Sequence, residues 1–215
     1  MNPHSGDFRG WYTSRKLPHF DAAETILFIT FRLADSLPSH ILREMRKEVD
    51  RLPEGLRSDA LRVQMEKYLD QGYGSCVLFH PEMAATLQSA FQHHAGRRYE
   101  LLSWVIMPNH VHILIRPSWS LPRIVQGWKS WSARWALLNA ARLELALPVG
   151  GFWMRGYWDR YIRNEDHLAS ALDYIHQNPV KAGLCASAGQ WPWSSACREN
   201  AVTRAARLRD PNSAT

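Results

Sequence analysis

The sequence predicts an α+β protein whose centre is an antiparallel sheet. Runs of β-branched and aromatic residues at 25–33, 99–106 and 110–116 are typical of strands. Segments with helical periodicity separate the first run from the other two. Only a short turn around Pro108 separates the last two runs, and strands joined so tightly are antiparallel neighbours.

The first half of the chain is predicted to form a strand, two helices, a second strand and a third helix. Ser39 is expected to cap a charged helix over 39–52, and another helix is expected over 58–71. We interpret this pair as a helical hairpin inserted between strands, with its polar faces in solvent. The next strand is expected at 75–79, and a helix over 81–94 follows it.

The second half is dominated by two helices. A long helix starts near Ser120 and shows one apolar stripe. The stripe contains Ile124, Trp128, Trp131, Trp135 and Leu138. Asn164 is expected to cap the last helix, which should stop near Asn178 because Pro179 cannot continue it. The stretch at 152–162 is expected to be irregular.

Composition indicates a globular protein with a preference for polyanions. Hydrophobic residues make up 46% of the 215 residues, and the net charge is +6. No apolar run approaches the roughly 20 residues that a membrane span needs, and the N-terminus does not resemble a signal peptide. Three scattered cysteines, Cys76, Cys185 and Cys197, are expected to be reduced thiols in the cytoplasm.

We expect three parts: an N-terminal basic and aromatic arm over 1–22, a body over 23–200 and a flexible tail over 201–215. In the arm, Arg15 and Lys16 follow aromatic residues, a pattern that can grip nucleic acid. The alternative, an arm packed over the body through its tryptophan, is weighted equally.

His110 and His112 are the first candidate site residues. Residues i and i+2 of a strand share a face, so the two imidazoles should point the same way while Val111 and Ile113 face a core. Two imidazoles so close together can bind one divalent metal. The alternative is a polar pair on a half-exposed strand.

Tyr174 and Asn178 are the second candidate pair, because positions i and i+4 share one face of a helix. An amide oxygen is an acceptable ligand for Mg²⁺ or Mn²⁺, and a nearby phenol can attack a metal-bound phosphate. Tyr174 is alternatively a core tyrosine, and Asn178 a simple helix terminus. Tyr157 and Tyr161 are the competing nucleophiles, in a stretch without a paired ligand.

These motifs resemble those of a known family. His110-Val111-His112 resembles the His-hydrophobic-His motif of HUH single-strand nucleases. The string 174–184 resembles the nucleophile helix of the REP-associated tyrosine transposases, relatives of bacterial insertion-sequence transposases. The resemblance covers roughly residues 9 to 197 and extends to the segments at 17–20, 128–130, 157–163 and 191–195.

The resemblance implies a ferredoxin-like α+β core, the HUH nuclease fold, in which an antiparallel sheet carries helices on one face. It also implies that His110 and His112 hold Mg²⁺ or Mn²⁺ and that Tyr174 cleaves single-stranded DNA, leaving a 5′-phosphotyrosine link and a free 3′-OH. Asn178 stands where several relatives have glutamine and is the expected third ligand. The implied substrate is an imperfect palindrome that folds as a hairpin beside a single-stranded tetranucleotide.

The expected partner is therefore hairpin DNA in a bacterial nucleoid, bound by a monomer, with a dimer left open. Two other functions remain open: a hairpin-binding regulator with little catalysis, and a metal-dependent phosphodiesterase that uses water. His176 points to a different helix face from Tyr174 and is assigned no catalytic role. The expected DNA contacts are Arg15, Lys16, Arg116, Lys129, Arg155 and Arg160.

Overall fold

A four-stranded antiparallel sheet lies at the centre of the protein. The computed structural model describes residues 8–14 and 17–197. In chain order its elements are β1 (Gly10–Ser14), β2 (Leu17–Asp21), β3 (Leu27–Arg32), α1 (Ser39–Val49), α2 (Glu54–Leu69), α3 (Pro81–His93), β4 (Tyr99–Ile106), β5 (His110–Pro117), α4 (Leu121–Asn139), β6 (Trp158–Tyr161) and α5 (Glu165–Lys181). The central sheet has the order β4-β5-β3-β6, and β1 and β2 form a separate hairpin.

The strand register brings four polar side chains onto one face of this sheet. β5 pairs antiparallel with both β4 and β3, so the predicted neighbour relation across the turn at Pro108 is confirmed. Thr30 of β3 lies opposite His112, and Arg32 lies opposite His110. Because side chains alternate along a strand, all four of these residues share one face, which we call the site face.

The opposite face, which we call the helix face, packs against α3 and α4 in a large apolar core. Val111 and Ile113 of β5 contribute to it, as predicted. Its few polar groups are joined to one another: Trp128 Nε1 donates to the Tyr99 hydroxyl at 2.8 Å, which donates to the Phe91 carbonyl at 2.8 Å. Helices α3 and α4 therefore show the expected packing of helices on one face of the sheet.

Helix α5 and the α1–α2 hairpin lie on the site face instead. There Phe28 and Leu114 of the sheet pack against Ala171 and Ile175 of α5. The hairpin has a small core of its own, which extends to Trp158 of β6. That core contains Leu37, Ile41, Met45, Met65 and Leu69.

The N-terminal arm contains a β-hairpin rather than irregular chain. Trp11 of β1 packs against Phe20, with ring centroids 5.0 Å apart, and against Tyr161, 5.9 Å away. Asp159 of β6 accepts hydrogen bonds from the His19 ring and from the Phe20 backbone amide. The arm is therefore packed over the body through its tryptophan, which was the alternative prediction.

Two strand predictions were wrong. The segment predicted as a strand at 75–79 is a turn of 3-10 helix at Val77–Phe79. Cys76 just before it has a φ of 49°, a left-handed conformation that a strand does not allow. Conversely, the stretch at 152–162 contains a real strand, β6, because Trp158–Tyr161 pairs with the edge of β3.

Helix boundaries differ from the predictions where proline is involved. Ser39 is the first residue of α1 and follows Pro38 at the cap, whereas α2 begins at Glu54, four residues before the predicted start at Ser58. Helix α5 continues through Pro179 to Lys181, so proline does not end it.

The last two helices confirm one prediction and correct another. The Asn164 cap is confirmed, since its side chain accepts from the His167 amide at 2.9 Å. In α4 the predicted stripe is only partly buried: Trp128 is 3% exposed, but Trp131 and Leu138 are 59% and 75% exposed. The side of α4 that meets the core instead carries Ser132 and Ala136. In the part of the chain that the structure describes, no helix is long and apolar enough to cross a membrane.

Candidate active site

His110 and His112 face each other on the site face, as predicted. Their Nε2 atoms are 3.1 Å apart, and both residues are fully buried. Two ligands placed about 2.1 Å from an octahedral cation, at right angles, are about 3.0 Å apart. The imidazole pair therefore has the spacing of two neighbouring ligands of one divalent cation. It is not the half-exposed polar pair of the alternative.

Hydrogen bonds fix the protonation of His110. The Asn109 side chain donates from Nδ2 to the Tyr73 carbonyl at 2.9 Å, which turns its Oδ1 towards His110. His110 Nδ1 lies 2.8 Å from that oxygen and must donate to it. The proton of the neutral ring is thus on Nδ1, and the Nε2 lone pair points into the site.

His112 is held by Thr30, whose Oγ1 lies 2.8 Å from the ring Nδ1. Without a cation, the His112 Nε2–H donates to the His110 Nε2 lone pair, and the Thr30 hydroxyl donates to Nδ1. A hydroxyl can also accept a hydrogen bond. Thr30 therefore lets His112 move its proton to Nδ1 and present a second lone pair to a cation.

Burial keeps both histidines neutral. It lowers the pKa of His110 to about 3, and the positive charge of Arg32 adds to the effect. It also lowers the pKa of His112 well below its ordinary value, with a further contribution from His110. Metal ligation requires neutral imidazole, so at neutral pH neither ring has to lose a proton before it binds a cation.

Tyr174 of α5 lies directly against this pair. Its ring centroid is 5.2 Å from that of His112 and 5.9 Å from that of Phe28, both in edge-to-face contact. The Lys181 ammonium lies 5.5 Å from the centroid of the Tyr174 ring. The structure therefore brings the predicted nucleophile to the predicted ligands, across elements more than 60 residues apart in the chain.

The two competing tyrosines lie elsewhere. The Tyr157 hydroxyl is bonded to the Tyr12 hydroxyl at 2.9 Å, and burial, with that bond, raises its pKa far above the ordinary value. A phenol whose pKa is raised is a poorer nucleophile. Tyr161 packs against Phe20 and Trp11 under the N-terminal hairpin.

Asn178 is fully buried one helical turn after Tyr174. Neither its Oδ1 nor its Nδ2 has a hydrogen-bond partner within 8–14 and 17–197. Leaving a buried amide without partners costs about 1–3 kcal/mol. Among the described residues, its electrostatic neighbour is Asp70, whose pKa the Asn178 amide lowers. An amide oxygen is an acceptable ligand for Mg²⁺ or Mn²⁺, so the residues present fit such a cation.

Asp70, which follows α2, is a residue at this site that the sequence did not reveal. Its Oδ1 lies 3.8 Å from His110 Nε2. Burial raises the pKa of Asp70 to about 6, and Glu66 adds to this effect. The Asn178 amide and Lys181 lower it, although no hydrogen bond of ordinary length joins Oδ1 to a described residue.

No group of three or more His, Cys, Asp or Glu side chains in the described ranges is gathered closely enough to hold a metal. A cation at the imidazole pair therefore depends on a third protein donor of another type, or on a shift of Asp70. The Asn178 amide is a donor of another type, and it lies beside Asp70, whose pKa it lowers.

The predicted DNA contacts are spread over the surface. Arg15 and Lys16 lie outside the described residues. Arg116 is paired with Glu100 in an exposed ion pair, and Lys129 donates to the Met154 and Gly156 carbonyls, each at 2.7 Å. Arg155 is exposed.

Arg160 is a predicted contact close to the site, because its guanidinium lies over the ring of Phe28, 5.6 Å from the centroid, and Phe28 in turn contacts Tyr174. It borders a cleft of about 190 Å³ between the N-terminal hairpin and α2, which we call the aromatic cleft. The lining includes Trp11, Phe20, Phe28, Trp158, Tyr161 and Arg163.

Three supporting residues were missed by sequence reasoning: Thr30, Asn109 and Asp70. A signal existed for Thr30, since Thr30 and Arg32 alternate with apolar residues and so mark a polar face of β3. Asn109 belongs to the short turn predicted around Pro108, and it immediately precedes the first histidine. Asp70 had no local signal, because its place depends on how the α1–α2 hairpin folds back.

Residues 76–178 of this chain match the family described as "Transposase IS200 like". The match ends at Asn178 and includes both histidines and Tyr174. The predicted resemblance to the REP-associated tyrosine transposases is confirmed by two curated relatives and one solved structure.

One relative is the REP-associated tyrosine transposase of Escherichia coli K12, 31% identical over 103 residues, which are 48% of this chain and 58% of that protein. Another, from Haemophilus influenzae Rd and provisionally given the same name, is 30% identical over 115 residues, or 47% of this chain and 61% of that protein. The matches thus span about three-fifths of the length of each relative.

A solved structure described as the REP-associated tyrosine transposase bound to a REP hairpin is similar in fold. The TM-score is 0.55 at 18% sequence identity, over 90% of this chain and 87% of that one. At this identity the likeness concerns the fold, and it confirms the predicted α+β class with an antiparallel sheet and helices.

Proposed function

We propose that this protein is a metal-dependent endonuclease and strand transferase for single-stranded DNA that acts on palindromic hairpins through a 5′-phosphotyrosine intermediate. One observation carries the proposal: the Tyr174 ring lies against His112, within a buried imidazole pair of ligand spacing. We assign the activity to the body predicted over 23–200.

The cleavage step uses the Tyr174 hydroxyl as nucleophile. Its oxygen attacks the scissile phosphorus and gives up its proton to solvent, while the bond from phosphorus to the 3′ oxygen breaks. The 3′ oxygen takes up a proton and leaves as a free 3′-OH, and the 5′ phosphate stays on the tyrosine. A divalent cation held by His110, His112 and the Asn178 amide would supply charge stabilisation at the phosphoryl oxygens.

Strand transfer is the reverse reaction with a different 3′-OH. That hydroxyl attacks the phosphotyrosine and releases Tyr174, so no net energy input is required. The Lys181 ammonium, 5.5 Å from the centroid of the Tyr174 ring, favours a developing phenolate by charge attraction. Because Lys181 is exposed, water weakens this contribution.

The charge and aromatic residues support DNA as the substrate. The chain has a net charge of +6, which favours a polyanion. The aromatic cleft borders the site through Phe28 and Thr30, and it combines rings with Arg160, as sites that stack unpaired bases do. The similar solved fold is that of a protein bound to a REP hairpin. We therefore propose hairpin DNA with an unpaired flank, bound by a monomer in the bacterial cytoplasm, as the substrate.

The proposal is tested by looking for a covalent adduct between the protein and DNA. Wild-type protein is incubated with Mn²⁺ and end-labelled single-stranded hairpin DNA, then denatured and separated on a gel. We expect a labelled protein band in the wild type and in Tyr161→Phe, and none in Tyr174→Phe. Loss of one hydroxyl should change the free energy of unfolding by about 1 kcal/mol, so Tyr174→Phe remains folded. An adduct that persists in Tyr174→Phe contradicts the proposal.

One observation favours the second candidate, a hairpin-binding regulator with little catalysis. His110, His112 and Asn178 are all fully buried, so DNA reaches them only if the covering elements move. This candidate predicts that the wild type shifts labelled hairpin DNA on a native gel yet forms no adduct with several hairpins and metal present.

A further inference from the structure

The α1–α2 hairpin reaches the site through the end of its second helix. Met65 and Leu69 of α2 are buried, and with Glu66 they line the aromatic cleft opposite Phe28. The residue that follows, Asp70, enters the space beside His110. A helical hairpin interpreted from the sequence as a solvated insertion is thus one wall of the candidate active site.

The base of this hairpin is held tightly. The Ser75 amide donates to the Asp35 carboxylate at 2.7 Å. Gly74, with a φ of +89°, packs so closely on Asp35 that a Cβ there would lie 2.6 Å from the Asp35 carbonyl oxygen. The chain entering the hairpin at Asp35 and the chain leaving it at Gly74 and Ser75 are therefore held together.

The Asp70 carboxylate is partly buried, with 27% of its side chain exposed. Its Oδ1 is shielded from solvent, and no hydrogen-bond partner for it exists among the described residues. The Asn178 amide and Lys181 lower its pKa, but Lys181 is itself exposed. A shielded carboxylate is costly unless it is paired with a cation or coordinates a metal.

The donors beside it are all neutral. His110 and His112 present imidazole nitrogens, and Asn178 presents an amide. Mg²⁺ and Mn²⁺ prefer charged oxygen ligands, and neutral donors alone hold them weakly. Among the donors named so far, the site therefore has no charged oxygen ligand for such a cation. The carboxylate of Asp70, 3.8 Å from His110 Nε2, is close enough to become one.

We propose that Asp70 supplies the negative charge for the divalent cation held by His110 and His112, so that cation binding docks the α1–α2 hairpin onto the site. This inference rests on the proposed function. The present separation of 3.8 Å from His110 Nε2 exceeds the spacing of neighbouring ligands, about 3.0 Å. Docking therefore requires the carboxylate to move closer to the imidazole pair.

The first test measures Mn²⁺ binding by electron paramagnetic resonance of the free ion, with no DNA present. Asp70→Asn keeps the size and removes the charge, and Asp50→Asn removes an exposed charge from the same hairpin as a matched control. We expect Mn²⁺ to bind Asp70→Asn at least tenfold more weakly than wild type, with Asp50→Asn unchanged. Equal affinity in wild type and Asp70→Asn would overturn the inference.

His112→Ala separates this inference from the proposed function. If His112→Ala loses Mn²⁺ while Asp70→Asn binds as well as wild type, the metal site stands and the role of Asp70 falls. If the wild type binds no Mn²⁺ at all, the metal dependence in the proposed function falls, and this inference falls with it.

The second test measures docking by amide hydrogen exchange. We expect Mn²⁺ to slow exchange in Glu54–Leu69 of wild type and of Asp50→Asn, and to leave that of Asp70→Asn unchanged. Exchange in α2 of the wild type that is indifferent to saturating Mn²⁺ would show that the hairpin does not dock, and would overturn that part of the inference.

Discussion

The two faces of the central sheet differ in how completely the polar groups buried against them are hydrogen-bonded. On the helix face, the Trp128 indole, the Tyr99 hydroxyl and the Phe91 carbonyl form a closed chain of hydrogen bonds. On the site face, atoms of Asn178 and Asp70 are shielded from water without a partner in the described parts of the chain. Both faces are built from the same strands, so the difference arises from the elements that cover each face.

A satisfied polar group in a core stabilises one packing arrangement, whereas an unsatisfied one lowers stability until something binds it. The helix face therefore holds the fold together. On the site face, the unsatisfied groups lower the stability of the fold, but they are already oriented for the ligand that we propose. Arg32 follows the same pattern: it is buried beside His110, its Nε lacks a partner among the described residues, and burial lowers its pKa to about 10.

The largest effect is expected for the imidazole pair. His112→Ala removes one ligand and should lower cleavage of hairpin DNA by at least about 1,000-fold, because the phosphoryl charge loses its cation. Binding of the same DNA should change less than threefold, measured by fluorescence anisotropy. The control is His40→Ala, an exposed histidine on α1, which should cleave like wild type. Cleavage retained in His112→Ala would show that the pair is only structural.

Substitutions on the helix face are expected to lower the free energy of unfolding rather than cleavage. Trp128→Ala leaves a cavity and removes the partner of the Tyr99 hydroxyl, so the free energy of unfolding should fall by about 3–5 kcal/mol. Trp131→Ala, on the exposed side of the same helix, should lower it by less than about 1 kcal/mol. Urea denaturation measures both, and equal losses would argue against the burial pattern of α4.

These two faces differ in how much of them the sequence predicts. The imidazole pair, Tyr174 and Asn178 could be predicted as candidate site residues because strand alternation and the helical i, i+4 relation are local rules. Asp70 was not found, since it depends on an αα-hairpin folding over the sheet, and no local pattern specifies that. The fold class followed from the tight β4–β5 connection, while β6 was missed because an edge strand of four residues has a weak pattern.

A smaller effect is expected for Asp70→Asn, whose effect on the free energy of unfolding depends on pH. Its pKa is raised from 3.8 to about 6 by burial, so the folded protein favours the protonated form. Stability of the metal-free protein should fall as pH rises from about 4 to 6, where only the unfolded state ionises. Asp70→Asn should therefore be more stable than wild type at pH 7.5, by up to about 3 kcal/mol, and equal to it near pH 3.5.

Thermal or urea unfolding of metal-free wild type and Asp70→Asn at the two pH values checks this. A variant that is less stable than wild type at pH 7.5 would show that the carboxylate is already paired in the absence of a cation.

The smallest effect concerns the DNA surface. Binding should weaken with salt, and each phosphate contact should contribute roughly −0.7 to −0.9 to the slope of log K against log salt concentration. Arg160→Gln should reduce the slope by about one contact, whereas Arg142→Gln, whose guanidinium is paired with Glu82, should leave it unchanged. Affinity that is flat from 50 to 200 mM salt would contradict a phosphate-binding surface.

Peptide mapping of the covalent adduct tests the central claim most directly. Tryptic cleavage places Tyr174 alone in the peptide 164–181, Tyr161 in 161–163 and Tyr157 in 156–160. After digestion of protein and DNA, mass spectrometry should find a nucleotide on the peptide 164–181 and on neither of the others. A nucleotide on 161–163 or 156–160, with 164–181 unmodified, would contradict the assignment of Tyr174 as the nucleophile of this site.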